Sequence, residues 1–194
     1  MKIDCLNNAI TYLCGPIDRV PDAGVVWRKR FTTLIKERNL SIKILDPTNK
    51  PAGQISESEV ERDYMNRLKA QKKWDELKVF VQNLRRTDLR FVDYSDFVVA
   101  RVDQSVHMCG TYDEIFLAEK QHKPVLIICE GGKACLPNWL FGVARIDEIF
   151  DTVEDCVDYL CKLNSGDIPI DSRWVLVKQY LYGYCDENQE VSVL

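Results

Sequence analysis

Residues 101–120 read RVDQSVHMCGTYDEIFLAEK: a polar loop follows an apolar run, then Cys109-Gly110-Thr111, then the acid pair Asp113-Glu114. A carboxylate just beyond a strand end can serve as nucleophile, general acid or general base, and a neighbouring glycine lets a ligand approach the backbone. Gly110 has that position, Thr111 is placed to cap a helix, and Glu114, about one turn in, is placed to face a crevice. Asp113 faces elsewhere, because adjacent helical residues lie roughly 100° apart. Acids in a first helical turn also meet the helix dipole favourably with no chemistry attached, so spacing alone leaves both readings of Glu114 open. Cys109 with His107 is a weak nucleophile–base pair, since two nearby positions on a loop fix no geometry between them.

The elements that position these residues alternate along the chain. AITYLCG (9–15) is a short apolar run closed by Gly-Pro and reads as a buried strand. VVWRKRFTTLIKERN spaces Val26, Phe31, Leu34 and Ile35 at near-helical intervals, and LSIKILDPT reads as a second strand. Ser56 followed by Glu59 has capping-box spacing. A charged helical insertion then runs to Arg86, with Val60, Tyr64, Leu68, Leu77, Phe80, Val81 and Leu84 as its apolar stripe. DFVVARVD and KPVLIICE are further strands around a helix at GTYDEIFLAEKQ. ARIDEIF holds an edge strand, Thr152 with Asp155 marks a helix start, and a last helix is expected from about Ser172 to Tyr182.

Short strands that are apolar throughout, separated by helices, imply a parallel sheet covered on both faces. The expected architecture is a single α/β domain over 1–194: a Rossmann-like (flavodoxin-like) parallel sheet of about five strands with helices on both faces, and the charged helical insertion near 56–86. Ligands of such sheets bind beyond the carboxyl ends of the strands. That rule selects the loops after the first four strands, and with them Asp18, Asp22, Asp46, Asp103, Glu114 and Asn138. No Walker run and no Gly-x-Gly-x-x-Gly follows the first strand, which argues against ordinary dinucleotide binding.

Bulk properties narrow the field further. Of 194 residues, 46% are hydrophobic and 29% charged, and the net charge is -4. That balance argues against a nucleic-acid polymer or an anionic membrane as partner, because both require clustered cationic surface. No segment approaches the roughly 20 apolar residues of a membrane span. The 8 cysteines contain no Cys-x-x-Cys pair and only 2 histidines accompany them, which argues against zinc; reduced thiols and a cytoplasmic location are expected.

Three stretches, YLCGPI after the opening strand, DLRFVDYSDFVVARVD in mid-chain, and CGTYDEIFLA followed by KPV, run in this order between about residues 10 and 145. Together they resemble the nucleoside 2-deoxyribosyltransferase family, whose deoxynucleotide N-glycosidase relatives share much of the pattern. The resemblance implies that Glu114, the glutamate of Gly-Thr-x-x-Glu, is a nucleophile that attacks the anomeric carbon through an oxocarbenium-like transition state. It implies that Asp88 contacts or protonates the nucleobase, against a plain reading as a helix N-cap. Tyr12 would orient Glu114, against a plain reading as a core tyrosine.

Gly15 and Pro16 match the turn where substrate approaches the backbone, and Trp27 is placed either to stack on a base or to fill the core. The substrate-binding candidates are therefore Gly15, Pro16, Asp18, Trp27, Asp46, Gly110, Thr111 and Asn138. The family chemistry needs no metal and no cofactor. Its partners would be a deoxynucleoside or deoxynucleotide, a free nucleobase and further copies of the chain, with Asn138 a candidate for contact across a subunit boundary.

One departure stands out. Met108-Cys109 occupies the place where the family often has Asp-Ser against the sugar hydroxyls. It leaves two further expectations in play: a hydrolase of deoxynucleoside 5′-monophosphates, with Arg19, Arg28 or Ser105 at the phosphate, and a non-catalytic nucleotide-binding protein of the same fold.

Overall fold

In the computed structural model, which describes residues 4–50 and 55–176, strands β1 (Ile10–Cys14), β2 (Lys43–Leu45), β3 (Phe97–Val102), β4 (Val125–Cys129) and β5 (Ile149–Phe150) form one sheet. Their order is β2-β1-β3-β4-β5 and every pairing is parallel. The chain is thus an α/β protein with a Rossmann-like, flavodoxin-like sheet. The order reverses between β1 and β3, and at such a switch point the flanking loops diverge and leave a crevice beyond the strand ends.

Both faces of the sheet are covered because its strands are apolar at nearly every position. Side chains alternate along a strand: Leu13, Phe97, Val99, Leu126 and Ile128 enter a core with α1 (Val25–Glu37) and α6 (Val153–Ser165). Tyr12, Cys14, Val98, Ala100 and Ile127 enter the opposite core, against α3 (Trp74–Tyr94) and α4 (Cys109–Lys120). Period two alone therefore sends Tyr12 to the face that α4 covers.

The charged insertion forms two helices, α2 (Glu59–Ala70) and α3, and α3 continues well past Arg86. The cap of α2 is Ser58 with Glu61, not Ser56 with Glu59. Ser56 Oγ instead accepts from the Lys50 amide at 3.1 Å and closes the preceding loop. Of the expected apolar stripe, Leu68 and Leu84 are buried and Tyr64 meets Phe80 edge-on at 5.1 Å, whereas Val60 and Val81 face solvent. On α1, Val26 is exposed and its neighbour Trp27 takes the core position.

Thr152 caps α6 by accepting from the Asp155 amide. A four-residue helix α5 (Gly132–Cys135) and 3-10 turns at Asn138–Gly142 and Ile146–Glu148 complete the connections. Residues 172–176 are turn and irregular chain, anchored by Arg173 on the buried Glu148 at 2.6 Å; the rest of the helix expected to Tyr182, and the tail after it, lie outside the described residues. No helix among the described residues is long and apolar enough to cross a membrane.

Candidate active site

Helix α4 begins at Cys109, with Met108 as an N-cap that makes no side-chain cap bond. Thr111 therefore does not cap the helix; it lies inside the first turn, 5% exposed. The first turn carries no acid. Asp113 and Glu114 fall beyond it, where the dipole's influence has faded, so attraction to the helix end does not account for Glu114. The buried face of α4 is Thr111, Glu114, Ile115 and Ala118, an i, i+3, i+4, i+7 set that turns Glu114 toward the sheet. Asp113 points outward and pairs with Arg85 of α3 at 2.6 Å.

Glu114 meets Tyr12 there. The Tyr12 hydroxyl donates to Glu114 Oε1 at 2.7 Å, with both side chains buried. Burial pushes the Glu114 carboxyl up to about 8, with Asp88 and Glu57 adding to the rise and the Tyr12 hydrogen bond and Arg28 opposing it. Burial, and then the same three carboxyls, raise the Tyr12 hydroxyl well above its ordinary range. Proton occupancy at this spot is therefore a balance between dehydration and a few oriented partners.

These two residues lie in a cavity of about 270 Å³ at the carboxyl ends of β1 and β3. Gly15, Pro16, Asp18, Gly110 and Thr111 also line it. A β-carbon at Gly110 would meet no protein atom within 4 Å, so its backbone is bare toward the space. Met108 lines the cavity as well, and its sulfur accepts from the Asp103 amide at 3.3 Å.

The remaining candidates are placed differently. Trp27 is 4% exposed in the α1 core, with its ring edge beneath Gly15, where an added β-carbon would lie 3.0 Å away. Asp46 turns its carboxylate onto Thr48 and stands 3.7 Å from Arg28. Neither lines the cavity. Asn138 is not brought to the cleft: it borders a separate surface hollow with Phe116, Glu119 and Trp139.

Arg28, a phosphate candidate from sequence, borders the cavity from a buried position. It is fully buried, and its guanidinium donates to the carbonyls of Leu13, Gly15 and Gly24. It staples the turn after β1 to the start of α1 and presents a fixed positive charge at the cavity wall. Gly24 is held at φ 69, and a β-carbon there would lie 2.4 Å from Arg28 Nη1 and from the Pro16 carbonyl; only glycine fits.

Asp88 is not a helix cap. It sits in the interior of α3 on the buried stripe Leu84, Asp88, Val92. Lys50 Nζ meets its Oδ1 at 2.6 Å, with the lysine side chain wholly buried. Glu57, which follows Lys50 by seven positions (57 − 50), lines the cavity and interacts electrostatically with Asp88. Burial raises Asp88 from its ordinary value, with Lys50 opposing. Burial and then Asp88 push Glu57 up to about 7.

Lys50 and Glu57 join this cluster without being candidates from the sequence. Their signal is a lysine and an acid in the loop after the second strand, which the sheet-end rule selects as far as Ser56. Among the described residues, no group of three or more histidines, cysteines or acids is placed to hold a metal ion.

The cleft thus gathers two dehydrated carboxyls, Glu57 and Glu114, one phenol and one fixed guanidinium at the switch point of a parallel sheet, with the buried Asp88 outside its lining. No family model and no curated protein matches the chain. Among solved structures it is similar to the 2-deoxyribosyltransferase of the psychrotolerant bacterium Bacillus psychrosaccharolyticus, with 11% identity and a TM-score of 0.49 over 70% of this chain and 82% of that one. It is also similar to a conserved protein from Enterococcus faecalis V583, with 15% identity and a TM-score of 0.43 over 81% of this chain and 89% of that one.

Proposed function

We propose that this chain is a nucleoside 2-deoxyribosyltransferase. It would cleave the N-glycosidic bond of a 2′-deoxynucleoside through a covalent glutamyl-deoxyribose intermediate on Glu114 and pass the sugar to another nucleobase. The observation that carries this reading is the buried carboxyl of Glu114, held by the Tyr12 hydroxyl at 2.7 Å and facing a cavity of about 270 Å³. A retaining glycosyl transfer needs a carboxylate of this kind, oriented and shielded from water so that the acyl-linked sugar survives until the acceptor arrives. Asp88 belongs to the base side, behind the second carboxyl of the cleft.

Glu114 attacks as the carboxylate. Tyr12 is its positioning residue: donation from the phenol favours the ionised form and fixes which oxygen is free. Arg28, with three backbone carbonyls, holds the β1 turn and its Gly15-Pro16 approach in place. No step requires a metal or an organic cofactor.

Arg19 and Arg28 at the same cavity favour a second reading, hydrolysis of a deoxynucleoside 5′-monophosphate, in which a guanidinium receives the phosphate. Incubation with deoxynucleosides and their monophosphates, with and without a second base, separates the two. A new nucleoside formed only with the acceptor present supports transfer; free base with deoxyribose or its phosphate supports hydrolysis. Activity surviving in Glu114→Ala overturns the nucleophile assignment.

A further inference from the structure

The base-side proton has two candidate carriers, and they differ in access. Asp88 is 5% exposed, and its Oδ1 is taken by Lys50 Nζ at 2.6 Å. Among the described residues that line the cavity, Asp88 does not appear; Glu57 does, alongside Tyr12, Arg28 and Glu114. A carboxylate clamped by an ammonium group is stabilised in its ionised form and is a poor proton donor. A second carboxyl close to it keeps a proton, because neighbouring acids do not both ionise readily.

We infer that Glu57 hands a proton to the departing nucleobase and recovers one from the incoming base, while Asp88 and Lys50 are the positioning pair behind it. The inference rests on the glycosyl-transfer reading above and moves the acid from Asp88 to Glu57. In the first half-reaction a bond forms between Glu114 Oε and the anomeric carbon as the bond from that carbon to the base nitrogen breaks. The bonding pair goes to the base, which is neutralised by the Glu57 proton, leaving Glu57 as carboxylate. In the second half a nitrogen of the new base attacks the anomeric carbon, its proton passes to Glu57, and Glu114 departs as carboxylate. A water molecule in place of that base gives hydrolysis with the same balance.

Among the described residues, the groups that act on Glu57 or feel its charge come from several elements: Asp88 from α3, Lys50 from the stretch after β2, Arg28 from α1, Glu114 from α4 and Tyr12 from β1. Asp88 raises its carboxyl, while Lys50 and Arg28 lower it. Glu57 and Asp88 both raise Glu114. The reactive arrangement has Glu57 protonated and Glu114 ionised, so the two residues compete for one proton near neutrality.

The test compares wild type, Glu57→Gln, Asp88→Asn and Glu114→Ala across pH. The substrates are 2′-deoxyadenosine, its 5′-monophosphate and 7-methyl-2′-deoxyguanosine, whose cationic base leaves without a proton. Glu57→Gln is expected to lower kcat on the adenine substrates by about 10²–10³-fold, the usual contribution of a general acid. It should also lose the alkaline limb of the profile, and it should hold the methylated substrate within about threefold on the same ground. Asp88→Asn should keep the alkaline limb but move it to lower pH, because the charge that raises Glu57 is gone. Glu114→Ala should lose every substrate.

Equal losses on all substrates in Glu57→Gln would overturn the inference, as would loss of the alkaline limb in Asp88→Asn with Glu57→Gln unaffected. In both cases the transfer reading would stand. A wild type silent on every substrate would overturn the transfer reading itself and this inference with it.

Discussion

Tyr12 and Glu114, 102 positions apart, share one hydrogen bond of 2.7 Å in the interior of the cleft. The tyrosine belongs to β1 and the glutamate to α4, so the contact exists only once the helix lies on that face of the sheet. It opposes the dehydration that keeps the carboxyl protonated.

Tyr12→Phe removes that donation and leaves the ring in place. Glu114 should then rise further, and the acid limb of kcat/KM against pH should move to higher pH. Turnover at neutral pH should fall about tenfold or more, as for loss of an oriented hydrogen-bond donor. Stability should change by about 1 kcal/mol, one net hydrogen bond. A pH–rate profile beside a thermal melt separates the two effects. An unmoved acid limb would mean that the hydroxyl does not tune Glu114.

Glu114 also couples stability to pH. In the folded chain its carboxyl stays protonated up to about 8, whereas the ordinary value is 4.5. The folded state therefore holds an extra proton between these values. Its contribution to stability is full below about 4.5 and is lost as pH rises through about 8. Glu114→Gln abolishes this titration while Glu57 retains its own. The variant should gain on the wild type by roughly 2 kcal/mol or more between about pH 5 and about pH 9, at ~1.4 kcal/mol per unit. Urea unfolding at both pH values measures it, and a constant difference would contradict the assignment.

Lys50 and Asp88 are buried together at 2.6 Å. Lys50→Met leaves the Asp88 carboxylate without its cation and should cost about 3–5 kcal/mol, as for breaking a buried ion pair. Lys50→Met with Asp88→Leu should recover much of that loss, since replacing both charges by apolar groups is often neutral. A double-mutant cycle by denaturant unfolding reads the coupling; additive losses would mean that the pair does not interact.

Arg28→Lys keeps the charge and loses the fork that serves three carbonyls. At least one buried carbonyl should be left unpaired, for a cost of about 1–3 kcal/mol. Unfolding midpoints against wild type check this. A variant as stable as wild type would show that the carbonyls find other partners.

Much of the architecture follows from local pattern. Continuous apolar strands such as VLIIC and FVVARV can be satisfied only between two layers, and alternation with helices makes them parallel. The placement of Tyr12 on the α4 face follows from strand alternation once a sheet is assumed. The position of Glu114 beyond a strand end follows from GTYDEIF itself.

What the sequence by itself could not decide was which charged residues become dehydrated, because burial is a property of the assembled layers and not of spacing. Arg28 looks like one of several cations on α1, yet it is fully buried under the β1 turn. Asp88 occupies a helical stripe with Leu84 and Val92, a hint of burial, but its partner Lys50 comes from a loop 38 positions away (88 − 50). Glu57 borders the same cavity as Glu114 and acts electrostatically on Asp88, a proximity that no local pattern encodes. The local pattern determined the sheet and the face that carries Tyr12 and α4. The tertiary structure decided which acids lose their water, because dehydration needs neighbours on every side and those neighbours come from β1, α1, α3, α4 and the loop after β2.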